Sequence, residues 1–323
     1  MNRLSSHALA AICLAACSAA PPASLPVPVT GDEATSDWPQ AEPEAPPPRA
    51  SPPSLAEACS GVFQQGGLVV CQGSPGEAFR FGDIVLTADS GGSVQFGLAR
   101  TVPSRLPIAT AAETLEFEIA PRTDERRNVP GLDCDKIDAR TPQQKAHAAL
   151  SWDKKQAAFN VLLEGSGVLG GFLPPSASPP SSPFGPERRY TGVSKTSGKP
   201  CESVSVHLGH DYAAPPGSPV LAPAPGTVTL ADPDLYYEGG TVFLDHGHGW
   251  LTILMHLSEV SVAAGDRVEA GQVIAKSGDT GRSSGPHLHW GVKWRNPVST
   301  DRDGDFYIDP ALLLAWTPPE TSN

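Results

Sequence analysis

The sequence predicts a mainly β protein built from short strands that are joined by turns. Proline and glycine number 35 and 32 in 323 residues, and this abundance favours turns and loops over long helices. Apolar residues make up 39% of the chain, which is enough to build a hydrophobic core. The length leaves room for two ordinary domains.

The first residues have the features of an export signal. The apolar stretch 8–16 is too short to span a bilayer and leads through small residues into Cys17. This ending resembles a bacterial lipobox, which implies a signal peptide over 1–16 and a lipid on Cys17 that anchors the chain to the membrane. Because Ser18 follows the cysteine, the resemblance favours an outer-membrane lipoprotein facing the periplasm. Cleavage after Ala20, giving a soluble periplasmic or secreted protein, is the alternative.

The other four cysteines agree with export. An even number of cysteines in an oxidising compartment suggests two disulfides, for which three pairings exist. We expect the local pair Cys59–Cys71, and Cys134–Cys201 as a link between two domains. A zinc site made from these four thiols is the alternative, although their spacing contains no CxxC pair.

Shifts in composition divide the rest of the chain. Residues 17–54 contain 11 prolines and predict an extended tether. Residues 55–173 predict a β-rich amino-terminal domain, and a linker with six prolines and four serines follows at 174–186. Residues 187–316 predict a second domain, and 317–323 form a tail.

The amino-terminal domain is predicted to carry one helix among its strands. Thr141 is a candidate N-cap, Pro142 suits the first helical position, and helix-forming residues continue to Phe159. Short apolar or alternating segments predict strands at 68–71, 83–87, 93–96 and 114–119.

Histidines are concentrated in the second domain, where seven of the nine lie between residues 207 and 289. Strands are predicted at 242–244, 251–255 and 287–292. In the last of these, residues two apart share a face, so His287 and His289 project side by side while Leu288 and Trp290 pack opposite. Such a pair alone does not define a metal site, because any strand face can carry two polar residues.

Further candidate ligands precede this pair. His207 and Asp211 could supply a nitrogen and an oxygen, and with one histidine of the pair they would make the three-ligand, open pattern of catalytic zinc. His256 ends an apolar strand and is either a free acid–base group or a hydrogen-bonded histidine at a strand edge. His246 and His248 flank a glycine and predict a tight turn, which ranks them below the other pair.

The second domain resembles the lysostaphin/LytM-type zinc metalloendopeptidases, a family of peptidoglycan endopeptidases, from about residue 184 to 312. The series is specific because its motifs follow in family order and spacing. The motifs are His207-x-x-x-Asp211, Pro216 to Val220, Ala222 to Val228, Asp245-His246-Gly247, His256-Leu257-Ser258, Gly265 to Val268, Gly278 to Gly281 and Gly285 to Trp290.

The resemblance implies an antiparallel β-sheet metallopeptidase domain. It implies one Zn²⁺ per chain held by His207, Asp211 and His289, with His256 and His287 as catalytic histidines. The implied substrates are D-Ala–diaminopimelate cross-links of peptidoglycan. Two positions depart from the family: His210 replaces an aliphatic residue before Asp211, and Leu254 stands where an aromatic is common, so one wall of the cleft is expected to differ.

Other functions receive less support from the sequence. The net charge of −12 offers no basic face for nucleic acid or for an anionic membrane surface. A non-catalytic, LytM-like wall-binding factor that activates other hydrolases is the main alternative, but it predicts lost ligands and none is lost here. Residues 60–132 resemble, more loosely, the amino-terminal domain of some family members. Wall binding, binding of regulatory wall-hydrolysis proteins and an inhibitory cover all stay open for that domain.

Overall fold

The computed structural model describes residues 53–136, 139, 141–299 and 301–318. All of them belong to one compact unit. The predicted signal peptide and Cys17 lie outside the described residues, as does the predicted tether up to residue 52. No helix in the described ranges is long and apolar enough to cross a membrane.

The described residues are mainly β, as the sequence predicts. The strands of the amino-terminal part are β1 (Cys59–Val62), β2 (Leu68–Gln72), β3 (Ala78–Phe81), β4 (Ile84–Thr87), β5 (Ser93–Gly97), β6 (Arg105–Ala109), β7 (Thr114–Glu118) and β8 (Arg126–Asp133). Those of the carboxy-terminal part are β9 (Pro180–Ser182), β10 (Glu187–Val193), β11 (Pro200–Val206), β12 (His210–Tyr212), β13 (Pro219–Leu221), β14 (Gly226–Leu235), β15 (Gly239–Gly247), β16 (Trp250–Val260), β17 (Arg267–Val268), β18 (Val273–Ser277), β19 (Leu288–Trp294) and β20 (Phe306–Ile308). The helices are α1 (Leu55–Ala58), α2 (Pro142–Phe159) and α3 (Pro310–Ala315).

Two small antiparallel sheets form the amino-terminal part, in the orders β1-β2-β5 and β4-β3-β6-β7. Strands β2, β4, β5 and β7 coincide with the four segments predicted there. The alternation predicted for 114–119 is present, since Leu115 and Phe117 are half-buried while the residues on either side of each are exposed. The period-two pattern therefore identified both this strand and its inward face.

Helix α2 begins at its predicted N-cap and ends where the run of helix-forming residues was predicted to end. The Thr141 hydroxyl accepts a hydrogen bond from the Gln144 backbone N–H, and the Gln144 side chain accepts one from the Thr141 N–H. This reciprocal pair satisfies two backbone donors that the first helical turn leaves without partners. The helix ends at Phe159, whose ring stacks on Phe243 of β15 at 5.1 Å.

A buried ion pair holds the end of α2 on the large sheet. Arg295 and Asp245 have only 2% and 0% of their side chains exposed, and their closest atoms lie 2.7 Å apart. The Arg295 guanidinium also donates to the carbonyl oxygens of Phe159 and Val161 just beyond the helix. A cation at this position satisfies carbonyl groups that have no partner within the helix.

The largest sheet has ten strands and carries His256 on β16 and His289 on β19. Its main path is β17-β14-β15-β16-β19-β12-β9, and β13, β18 and β20 pair at its sides. Trp250, Trp290 and Trp294 are completely buried beneath it. The segment 174–186, predicted as a linker, contributes β9, which pairs with β12.

One sequence prediction in this sheet needs correction. The predicted turn over His246 to Gly249 is shorter than expected, because β15 continues to Gly247. Only His248 and Gly249 form the turn, with φ values of 52° and 82°. His246 is therefore a buried strand residue.

A fourth sheet and two disulfides connect distant segments. Strand β10 pairs in parallel with β8 and antiparallel with β11. Both expected disulfides are present: Cys59–Cys71 lies between β1 and β2, and Cys134–Cys201 links the turn after β8 to β11. The predicted pairing is confirmed, and the alternative zinc site is wrong because these sulfurs are bonded to one another.

Candidate metal centre

Three side chains from separate elements meet beside β12. His207 follows β11, and Asp211, the middle residue of β12, lies directly opposite His289 of β19. Cross-strand register therefore brings these last two side chains together. The turn after His207 passes close to β19 at Gly209. A Cβ atom at Gly209 would lie 2.6 Å from both His289 Cε1 and the Trp290 carbonyl oxygen.

The spacing of the donor atoms fits one metal ion. His207 Nε2 lies 3.0 Å from Asp211 Oδ1 and 3.1 Å from His289 Nδ1, and the latter two atoms are 2.8 Å apart. Ligand atoms about 2.0–2.1 Å from a tetrahedral zinc would be roughly 3.3 Å from one another. Within the described residues, no other group of three histidine, cysteine or acidic side chains converges in this way.

The three groups are held in forms that bind a cation. His207 Nδ1 donates to the Pro183 carbonyl oxygen at 2.6 Å, which leaves the Nε2 lone pair for a ligand. Burial lowers the pKa of His289 despite the nearby Asp211 carboxylate, so that imidazole is neutral. Burial alone would raise the pKa of Asp211, but the adjacent imidazoles of His207 and His289 outweigh it and hold that pKa well below its usual range.

His256 and His287 lie next to this cluster with one nitrogen each already engaged. His256 Nδ1 donates to the Thr280 carbonyl oxygen at 2.9 Å, and His287 Nδ1 donates to the Gly285 carbonyl oxygen at 2.7 Å. A carbonyl only accepts, so in the neutral rings each Nδ1 carries the proton and each Nε2 keeps a lone pair. The two ring centroids are 4.7 Å apart, and His287 Nε2 lies 3.9 Å from Asp211 Oδ1.

Its backbone holds His256 in place, and burial keeps its ring neutral. Its φ of 63° is unusual for a residue other than glycine, and its backbone N–H donates to the Glu238 carbonyl oxygen at 2.9 Å. Burial is the main cause that lowers the pKa of His256 to about 3, and the neighbouring imidazoles of His287 and His289 add to it. The ring is therefore unprotonated near neutral pH and available to accept a proton.

All five of these residues line one groove of about 570 Å³. Strands β10 and β11 contribute Tyr190, Ser203 and Ser205 to its lining, and the turn between β14 and β15 contributes Tyr237 and Glu238. Part of the groove therefore comes from a strand pair that precedes the first ligand in the sequence.

Sequence reasoning missed Arg188, which lines the groove beside the cluster. Arg188 of β10 donates from Nη2 to Asp211 Oδ2 at 2.8 Å and to Ser182 Oγ at 2.7 Å. Its neighbour Arg189 instead pairs with Glu202 at the surface. The local sequence offers no signal that separates these adjacent arginines, because the pairing of β10 decides which one faces inward.

Other histidines considered from the sequence do not join the cluster. His210 precedes Asp211 on β12, so its side chain lies on the opposite face, where its ring contacts Tyr212 at 5.3 Å. His246 Nδ1 donates to the Pro225 carbonyl oxygen at 2.7 Å in the core, and His248 lies 3.3 Å from the Asp89 carboxylate.

Leu254 does not form a wall of the groove, contrary to the sequence-based expectation. It is fully buried in the core, whereas the next residue, Met255, lines the groove. Leu254 and Met255 point to opposite faces of β16, so a substitution at Leu254 changes packing below the sheet.

A His–Asp–His donor set beside two further imidazoles, in a groove of an antiparallel sheet, defines a site of the metallopeptidase class. The sequence profile described as Peptidase family M23 matches residues 205–301. Residues 205–301 therefore contain a peptidase M23 domain of the LytM/lysostaphin family.

Two curated relatives are similar to about a third of the chain. The peptidoglycan DD-endopeptidase ShyA of Vibrio cholerae is 40% identical over 110 residues, which are 34% of this chain and 24% of that protein. The DD-carboxypeptidase/endopeptidase Mpg of Neisseria meningitidis is 45% identical over 98 residues, 29% of this chain and 22% of that protein. The chain thus matches less than a quarter of the length of these curated relatives.

One solved structure resembles most of the chain. A putative peptidase M23 from Pseudomonas aeruginosa covers 78% of this chain and 95% of its own, with a TM-score of 0.52 at 24% identity. This likeness shows a shared fold.

Proposed function

We propose that this protein is a zinc-dependent endopeptidase that hydrolyses peptide cross-links of bacterial peptidoglycan, of the D-Ala–diaminopimelate type. The observation that carries the proposal is the groove itself, in which the His–Asp–His donor cluster and the rings of His256 and His287 face one space. The family of the domain and the activities in the names of its relatives support the same reaction.

The side chains have distinct roles in this proposal. His207, Asp211 and His289 hold the zinc, which when bound polarises the scissile carbonyl and activates water. The Nε2 atoms of His256 and His287 face the same groove. One of them accepts the proton of the attacking water, and the other stabilises the developing oxyanion or protonates the leaving amine.

The carbonyl oxygens of Thr280 and Gly285 prepare these two rings. Each accepts the Nδ1 proton of its histidine, which prevents the ring from turning and presents Nε2 to the substrate. Because the rings are oriented before substrate arrives, little reorganisation is needed during the reaction.

The same proposal places the protein outside the cytoplasm. Its substrate lies there, and the two disulfides form in oxidising compartments. We propose that Cys17 carries a lipid anchoring the protein to the outer membrane, with the proline-rich segment as a tether. Mass spectrometry of the amino-terminal peptide from membrane fractions tests this directly, because an unmodified peptide that begins elsewhere contradicts it.

Cleavage of defined wall fragments tests the activity. The purified protein is incubated with cross-linked muropeptide dimers, with and without a chelator, and zinc is then restored. We expect monomers to appear, to be lost on chelation and to return with zinc. A protein that binds zinc stoichiometrically yet releases no monomer would instead support a non-catalytic factor that activates other hydrolases.

A further inference from the structure

We infer that Arg188 is a positioning residue for the metal site: it holds one carboxylate oxygen of Asp211 so that the other faces His207 and His289. This inference rests on the proposed metal site but not on the proposed substrate. Its basis is the different environment of the two oxygens of one carboxylate.

The two oxygens of Asp211 have separate partners. Oδ1 lies 3.0 Å from His207 Nε2 and 2.8 Å from His289 Nδ1, within the donor cluster. Oδ2 accepts a hydrogen bond from Arg188 Nη2 at 2.8 Å. A carboxylate held in this way offers a single oxygen to a cation, because the other is occupied by a charged donor.

Arg188 is itself fixed in place. Its Nη2 also donates to Ser182 Oγ at 2.7 Å, and its Nη1 lies 3.4 Å from the Tyr190 hydroxyl. Only 15% of its side chain is exposed, compared with 8% for Asp211. A planar guanidinium with several fixed partners can orient a carboxylate more strictly than a flexible ammonium group can.

Three strands bring these groups together. Ser182 lies on β9, Arg188 on β10 and Asp211 on β12, and Ser182 is paired with Asp211 in the sheet register. Strand β10 is in turn held between β8 and β11. Segments that precede the first ligand in sequence therefore support the second one.

Loss of this support has a defined consequence. Without Arg188, the Asp211 carboxylate can rotate and offer either oxygen or both, and Oδ2 loses a charged partner in a buried place. Removal of a residue that orients a metal ligand typically weakens metal affinity about 10- to 100-fold. The effect on affinity should appear whether or not a peptide substrate is present.

The adjacent arginine supplies a matched control. Arg189 lies on the same strand but faces outward, with 57% of its side chain exposed, and it makes two hydrogen bonds to Glu202 at 2.7 Å. Arg189→Ala removes the same charge and the same side chain from β10 without touching Asp211. A difference between the two variants therefore reports the contact with the ligand.

The experiment measures zinc affinity by competition with a chromogenic chelator, using the full chain and the variants Arg188→Ala, Arg188→Lys and Arg189→Ala. Thermal unfolding of the metal-free proteins checks that each variant folds. We expect about a 10- to 100-fold weaker zinc complex for Arg188→Ala, an intermediate loss for Arg188→Lys and no change for Arg189→Ala. The visible spectrum of the Co²⁺-loaded protein should change in Arg188→Ala alone, because the coordination of Asp211 changes.

Two results separate this inference from the proposed function. If the wild-type protein binds no zinc at this site, both proposals fail, because both depend on the metal site. Wild-type protein that binds zinc, together with Arg188→Ala that binds it equally tightly, would overturn the role of Arg188 and leave the proposed function intact. If Arg188→Ala does not fold, Arg188→Lys decides: unchanged affinity and an unchanged Co²⁺ spectrum would refute the need for an oriented guanidinium.

Discussion

Gly209 offers a sharp test of the metal site, because its substitution by alanine adds one methyl group against the ring of His289, a proposed zinc ligand. The added Cβ would lie 2.6 Å from His289 Cε1 and 2.6 Å from the Trp290 carbonyl oxygen, whereas ordinary contacts begin at 3.4 Å. The backbone of β19 is held on both sides, by β12 and β16. The clash must therefore be relieved by moving the His289 ring or the turn that carries His207.

The size of this movement sets the expected effect. The added Cβ would lie about 1 Å too close to the His289 ring, and this distance is a third of the spacing between donor atoms. A misplacement of roughly 1 Å in a catalytic site can reduce activity about 100-fold, which corresponds to about 2.7 kcal/mol at 1.36 kcal/mol for each tenfold change. We therefore expect Gly209→Ala to lower kcat/KM for muropeptide dimers about 100-fold and to weaken zinc binding in parallel.

Gly170→Ala is a suitable control, because its nearest neighbour would be the Ser166 hydroxyl at 3.2 Å and it is not among the residues that line the groove. Steady-state cleavage, zinc titration and thermal unfolding of the metal-free protein would be measured for both variants. A Gly209→Ala protein that retains wild-type zinc affinity, with kcat/KM within a few-fold of wild type, would refute the reasoning.

Two further predictions concern histidines. His289→Ala should lose zinc and activity together, whereas His256→Ala should keep zinc and lose activity about 100-fold or more, as expected for removal of an acid–base group. Metal analysis and cleavage rates, measured for both variants, distinguish the two roles. Zinc retained by His289→Ala would mean that another residue is the ligand. Burial lowers the pKa of His246 to about 4, whereas the unfolded chain titrates near its ordinary value of about 6.5. As pH falls below that value, the unfolded chain takes up the proton before the folded protein does. The contribution of His246 to the free energy of unfolding is therefore full above about pH 6.5 and falls toward pH 4, by up to roughly 3 kcal/mol. Urea unfolding of the metal-free protein between pH 7 and pH 4 measures the decline, which should be smaller in His246→Gln; equal declines in both proteins would show that His246 does not contribute.

Much of the fold could be predicted because local signals were strong. The capping pair at Thr141 and Gln144 marks the start of α2, and the alternation around Leu115 and Phe117 marks β7. The same period of two predicted that His287 and His289 share a face, and both line the groove. Such signals are local because helix caps and strand alternation depend on residues only a few positions apart.

Errors arose where a position depends on strand ends or on the face that a neighbouring strand covers. His246 was expected in a turn, yet β15 extends through it and its ring hydrogen-bonds to Pro225 and Thr252 in the core. Leu254 was expected in a groove wall but faces the core. Glycine-rich motifs predict that a turn exists, but they locate its ends poorly.

The sequence by itself determined the chemistry that this protein can offer: two imidazole nitrogens and a carboxylate for a metal, two more imidazoles beside them, and four cysteines that form two disulfides. Only the tertiary structure decided how those groups are supported. It turned Arg188 toward Asp211 and Arg189 toward solvent, and it placed Gly209 against His289. These contacts join residues up to about 80 positions apart, and their register is set by the pairing of whole strands, which no short segment of sequence encodes.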